Sequence, residues 1–267
     1  MNNQIEKLLK IIDDSKVAFS DDYLSFPKDE EIQVKKTVTP DDFKKRFLER
    51  QNKFVVDNKE KIEPIQINEV RDENLFEMKE EIKEFSKLTY QELQELVKTC
   101  KKCPAAQIRK QSLFGKGDNN PKLMIIGEGP GREEDTNNDL FVGKSGQYLR
   151  KWLAAINLTF EKDVYLTNIV KCYSKTNPTK EMAISCLPYL QRQIEIVNPK
   201  VILILGKVAA VNLLNKDTTM KNLRGNIYSY KRVPSIVTYH PAAVLRNPQW
   251  RAPVWEDLQK VDRLIKV

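Results

Sequence analysis

The sequence predicts an α/β fold with a mainly parallel sheet, on three observations. Four short apolar runs recur from residue 122 onward: KLMIIG (122–127), VYLTNIV (164–170), VILILG (201–206) and SIVTY (235–239). They are apolar at successive positions, as strands buried on both faces of a sheet must be. Segments with helical spacing of apolar residues separate them, and strands that alternate with helices build parallel sheets.

The elements follow in order. Residues 1–87 contain none of the nine glycines and carry 17 basic against 21 acidic residues, a net charge of −4. IEKLLKII (5–12), DDFKKRFLERQNKFV (41–55) and NLFEMKEEIKEFSKL (74–88) have helical spacing, with SFPKDEEIQVKKTVTP (25–40) as linker. This part reads as a mostly helical N-terminal extension, 1–87, without chemistry of its own. A docking arm for a protein partner is its functional alternative. From residue 88 the texture changes, and 88–267 reads as the folded domain. TYQELQELVKTC (89–100) opens on Thr89, a plausible N-cap. SGQYLRKWLAAI (145–156), TKEMAISCLPYLQRQIEIV (179–197) and KVAAVNLL (207–214) are the helices between strands. PVWEDLQKVDRLIKV (253–267) closes the chain as another.

Charge and composition narrow the function classes. The net charge of +8 resides in residues 88–267, whose 28 basic and 16 acidic residues give +12. Such an excess is the footprint of a polyanion binder, although a solubility surface gives the same number. No apolar run approaches the ~20 residues of a membrane span. The acidic, amphipathic N-terminus does not read as a signal peptide. A soluble cytoplasmic protein is expected, in which four cysteines serve as ligands or free thiols rather than disulfides.

In parallel sheets the site lies at the carboxyl ends of the strands. Those ends carry Glu128-Gly129-Pro130, Asn168, Gly206 and His240, the chain's single histidine. GEGPG (127–131) makes a tight turn whose backbone can approach a ligand closely. A phosphate-binding Walker loop at GKS (143–145) is rejected, because Asn138 stands where that motif needs glycine. Cys100 and Cys103 form a C-x2-C pair, with Cys172 and Cys186 distant from it. Four thiolates suit zinc or an iron–sulfur cluster, and unrelated buried cysteines are the plain alternative.

Six segments then carry a resemblance: GEGPGREED (127–135), FVGKSGQYL (141–149), YLTNIVKC (165–172), NPKVILILG (198–206), LRGNIY (223–228) and TYHPAAVLRNP (238–248). In order and context they resemble the iron–sulfur (family 4) uracil-DNA glycosylases, from about Cys100 to the C-terminus. The resemblance implies a three-layer α/β/α fold around a four-stranded parallel sheet. It also implies a [4Fe–4S] cluster on Cys100, Cys103, Cys172 and Cys186, and uracil-containing DNA, single- or double-stranded, as substrate. His240 is then the donor to the departing uracil, and Glu128 lies in the turn that handles water. Asn168 reads the base edge, Phe141 stacks on the flipped base, and Glu134 crowds the position of a thymine methyl. Gly127 and Gly129 shape the turn, Gly129 standing where the family usually has alanine. Val244 or Leu245 fills the vacated base stack, while Arg246 and Ser145 hold phosphates. A monomer is expected. The rivals are a broader-specificity family 5-like glycosylase, which differs at Glu128 and Asn168, and a non-catalytic DNA-processing accessory protein.

Overall fold

The structure, a computed structural model, describes residues 63–64 and 80–266. These belong to one compact unit, Ile62–Val267. The helices expected at 5–12 and 41–55 lie outside the described residues, as does the linker at 25–40. The segment expected at 74–88 is helical at 80–85. There Phe85 is buried and its ring stacks on Tyr189, 5.0 Å between centroids. This segment packs with the domain although the change in sequence texture comes at residue 88.

Among the described residues, seven strands form one sheet. They are β1 (Glu63–Pro64), β2 (Lys116–Gly117), β3 (Leu123–Gly127), β4 (Val164–Asn168), β5 (Val201–Leu205), β6 (Ile227–Tyr230) and β7 (Val233–Thr238), in the spatial order β1-β6-β7-β5-β3-β4-β2. The four expected strands are β4, β3, β5 and β7, adjacent and all parallel. The family-like four-stranded parallel core is thus present. β6 and β2 join its two edges antiparallel, and β1 pairs with β6.

Among the described residues, the 80–85 segment aside, the helices around the sheet are α1 (Tyr90–Thr99), α2 (Arg132–Asn137), α3 (Lys144–Ala155), α4 (Phe160–Asp163), α5 (Lys180–Val197), α6 (Lys207–Leu214), α7 (Met220–Leu223), α8 (Pro241–Arg246) and α9 (Arg251–Ile265). Thr89 caps α1 as expected: its hydroxyl accepts from the Glu92 N–H, and Glu92 returns a bond to the Thr89 N–H.

The strand pleat sorts the core into two layers. Met124, Ile126, Tyr165, Ile202, Ile204 and Val237 face α5 and α6, through Ala183, Leu190, Ala210 and Leu213. Leu123, Ile125, Leu166, Leu203 and Ile236 face α3 and α9, through Leu149, Leu153, Val254 and Leu258. The same alternation carries Gly127 and Asn168 toward the α3 side, where Phe141 is buried. No helix among the described residues is long and apolar enough to cross a membrane.

Candidate active site at the strand ends

Gly127 ends β3 and Asn168 ends β4, side by side in register. A Cβ on Gly127 would lie 2.3 Å from Asn168 Oδ1 and 3.2 Å from Phe141 Cζ. Any larger residue at 127 would therefore fill the space in which the amide and the ring meet. Asn168 is 2% exposed, and its buried Nδ2 has no hydrogen-bond partner in the structure. An unsatisfied buried donor costs about 1–3 kcal/mol, which sets this amide nitrogen apart from the paired groups around it.

Phe141 is held in a strained conformation. Its φ is +55°, in the left-handed region that bulky residues rarely enter. Two neighbours impose it. Glu134 accepts the Phe141 N–H at 2.5 Å with one carboxylate oxygen and the Gly131 N–H at 2.7 Å with the other. Gly146, in the first turn of α3, lets the Phe141 carbonyl approach: a Cβ there would stand 1.7 Å from that oxygen. Burial raises the pKa of Glu134, and the two backbone bonds work against that shift. Both oxygens of Glu134 thus tie the β3 turn to the Phe141 backbone. Strain of this kind clusters where a side chain must be aimed.

His240 follows β7 and caps α8. Its Nδ1 accepts the Ala242 N–H at 3.3 Å. With Nδ1 an acceptor, the ring proton sits on Nε2, which is left free to donate. Burial, with a smaller effect from the Arg246 charge, pushes its pKa down to about 4. The imidazole is neutral at physiological pH, a point that sequence alone leaves open. Gly206, at φ +87°, passes beneath it, where a Cβ would come within 3.2 Å of the histidine Cβ. The Phe141 and His240 rings face each other at 6.4 Å and 27°.

A direct test follows from the single histidine. Its NMR signals need no assignment, and they are expected to show an Nε2–H tautomer that titrates near pH 4 rather than 6.5. Because the folded pKa lies below the unfolded one, the histidine's contribution to stability is complete above about pH 6.5 and declines toward pH 4. A titration midpoint at or above 6.5 would contradict the neutral-ring geometry.

The remaining expected site residues fall in three places. Glu128 is half-buried beside the pocket, and burial raises its pKa. A Cβ on Gly129 would meet Pro178 Cγ at 3.2 Å and Val170 Cβ at 3.6 Å, so the family's alanine would fit only tightly. Ser145 lies in the first turn of α3, whose N-cap Gly143 offers no side chain to the free N–H groups. In α8 one expectation needs correction. Val244 is 0% exposed and packs in the core with Leu149 and Leu258, so it cannot enter a base stack. The outward face of α8 carries Leu245, 39% exposed, and Arg246.

The cysteines come from four elements: Cys100 caps the end of α1, Cys103 begins a 3₁₀ turn, Cys172 follows β4 and Cys186 lies on α5. All four are free, with Cys172 and Cys186 buried. Burial raises the Cys186 thiol to about 12, with further contributions from Cys172 and Cys103 nearby. Arg109, which the sequence reading missed, spans the group. It donates to Cys172 Sγ at 2.6 Å and to the Cys100 carbonyl at 2.7 Å. Among the described residues, no three His, Cys, Asp or Glu side chains converge as ligands of one metal ion. A cluster makes a different demand, since each thiolate takes its own iron and the sulfurs stand around a cube.

Residues 114–259 match the uracil DNA glycosylase superfamily. The chain belongs to that superfamily. Among its curated relatives is a type-4 uracil-DNA glycosylase of Archaeoglobus fulgidus, 38% identical over 178 residues, 63% of this chain and 89% of the relative. One from Pyrobaculum aerophilum is also 38% identical over 178 residues, covering 63% and 90%. A third, from Thermotoga maritima, is 36% identical over 188 residues, covering 67% and 97%. Each of these superfamily relatives bears the type-4 name, in agreement with the resemblance read from the six segments.

Proposed function

We propose that the protein excises uracil from DNA, leaving an abasic site, with His240, Asn168 and Phe141 as the core of the base pocket. The observation that carries this reading is the buried, unpartnered Asn168 amide beside Phe141 and the neutral His240. A flipped base stacks on the Phe141 ring, a contact worth roughly 1–3 kcal/mol. The Asn168 amide supplies a donor for uracil O4 and an acceptor for N3–H. Cytosine reverses that pattern and leaves buried groups unpaired. As the glycosidic bond stretches, negative charge grows on uracil O2. The Nε2–H of His240 donates to it, and the bond strengthens as the charge develops. Glu128, with a carboxylate that burial makes more basic, handles the water that completes hydrolysis. Glu134 contributes by holding the Phe141 backbone, and exclusion of the thymine methyl is its further role in this reading.

DNA contacts are assigned to the outward face of α8 and the start of α3. Leu245 is the exposed wedge for the vacated stack, and Arg246 and the free N–H groups around Ser145 meet phosphates. Residues 1–87 are proposed as a docking arm for a protein partner, and the glycosylase as a monomer.

The four cysteines are proposed to hold a [4Fe–4S] cluster. Their all-thiol chemistry and the Arg109 guanidinium beside Cys172, a cationic donor to sulfur, support it. The group supplies cross-linking of α1, α5 and the segment after β4; the base pocket uses none of its chemistry. Protein purified without oxygen is expected to contain about four irons per chain. Cys172→Ser is expected to lose iron and lower Tm while leaving uracil selectivity intact. Stoichiometric zinc without iron would overturn the assignment.

The activity itself is tested on oligonucleotides carrying a single uracil, cytosine or thymine. Alkali-labile sites are expected at uracil alone. Cleavage at cytosine or thymine at comparable rates would favour the broader-specificity alternative, and no cleavage at any base would favour the accessory reading.

A further inference from the structure

Lys171 is 1% exposed, among the most deeply buried large side chains in the domain. A side-chain nitrogen buried this deeply is tolerated only when it is hydrogen-bonded. Nζ donates to Gln193 Oε1 at 2.7 Å, to the Asn168 main-chain carbonyl at 2.9 Å and to Thr167 Oγ1 at 2.5 Å. Three oxygens thus surround the nitrogen. The acceptors are themselves fixed. Thr167 Oγ1 donates to the Phe114 carbonyl at 2.8 Å, and Gln193 Nε2 donates to that carbonyl and to Tyr165 Oη, both at 2.9 Å. Gln193 is 0% exposed on α5, so the network joins that helix to the end of β4.

Nothing in this network touches the pocket directly. Its one link to the pocket is the Asn168 carbonyl. We infer that Lys171 is a positioning residue for uracil recognition, fixing the Asn168 peptide so that its side-chain amide meets the base edge in one orientation. This rests on Asn168 being the base reader. The Asn168 peptide is held twice: β4 pairs with β3 at Gly127, and the Lys171 bond holds the carbonyl. A misplacement of about 1 Å is enough to cost ~10²-fold in rate.

The test is a cycle of variants in the whole chain: Lys171→Met, Asn168→Ala and the pair. Single-turnover excision is measured on uracil and cytosine, with Tm and iron content on the same preparations. Lys171→Met is expected to slow uracil excision by about 10- to 100-fold and narrow the uracil-to-cytosine ratio. In the Asn168→Ala background it is expected to change neither. An unchanged rate in Lys171→Met, or two defects that multiply in the pair, would overturn the inference. Should Asn168→Ala itself leave uracil preference intact, the base-reader assignment fails and the inference falls with it. Thr167→Val removes one of the three oxygens while keeping the lysine. It serves the same cycle, with a smaller effect in the same pattern, if Lys171→Met does not fold.

Discussion

His240→Ala is expected to cut the single-turnover rate of uracil excision by ~10²–10³, which is about 2.7–4 kcal/mol of lost transition-state stabilisation. DNA affinity should change little. The histidine's Nε2–H meets an oxygen whose charge appears only as the glycosidic bond breaks, so its removal is felt mainly in the transition state. The ring enters this step neutral, because burial holds its pKa near 4. His240→Asn or His240→Gln is expected to recover part of the rate by restoring a donor. The same preparations should be melted, since the ring also caps α8 through Nδ1. Loss of that cap costs about 0.5–2 kcal/mol. A variant that loses Tm yet keeps its rate per folded molecule would assign His240 to the fold alone.

Asn168→Asp is the second large effect. An ionised carboxylate cannot donate to uracil O4, and it would stand against that oxygen as one acceptor facing another. It accepts readily from the amino group that cytosine carries in the same place. Sites built to hydrogen-bond a polar edge discriminate by ~10⁴–10⁵, so inverting one donor should erase most of the preference. The expected result is a fall of at least about 10²-fold in uracil excision with cytosine rising relative to it. Undiminished selectivity in this variant would remove Asn168 from the pocket. Its buried Nδ2 would then stand as an uncompensated cost to the fold.

The parallel core was legible because its strands are buried on both faces, which leaves runs such as VILIL without polar interruption. Their carboxyl ends point to Glu128, Asn168 and His240 from the sequence alone. The β6–β7 hairpin was not legible. Its two-residue turn is Lys231–Arg232, both at positive φ (+47° and +70°), a geometry usually announced by Asn-Gly or Gly. β1 and β2, two residues each, carry no periodicity at all. In α8, TYHPAAVLRNP gave no means of telling Val244 from Leu245. Which one faces the core depends on the helix's rotation against α3, a tertiary fact.

The site shows the same division. Residues at strand ends could be named from the chain, but those that hold them in place could not. Glu134 is expected to crowd the position of a thymine methyl, and no sequence pattern shows that its two oxygens also bind the backbone N–H groups of Gly131 and Phe141. Phe141 would by itself pass for core packing beside Val142, and its strained φ is visible only in three dimensions. Arg109 reaches the Cys172 sulfur across 63 residues of chain, and Lys171 reaches the Gln193 side-chain oxygen across 22. No local pattern records such contacts.

The central claim is that this pocket breaks a glycosidic bond. It is tested most directly by identifying what leaves the DNA. A duplex with one deoxyuridine is incubated with the purified protein, and released base is measured by mass spectrometry against abasic sites on the same strand. The geometry predicts free uracil equal in amount to abasic sites, from the native chain and far more slowly from His240→Ala. Intact strands with no free uracil under conditions where the protein binds the duplex would contradict it.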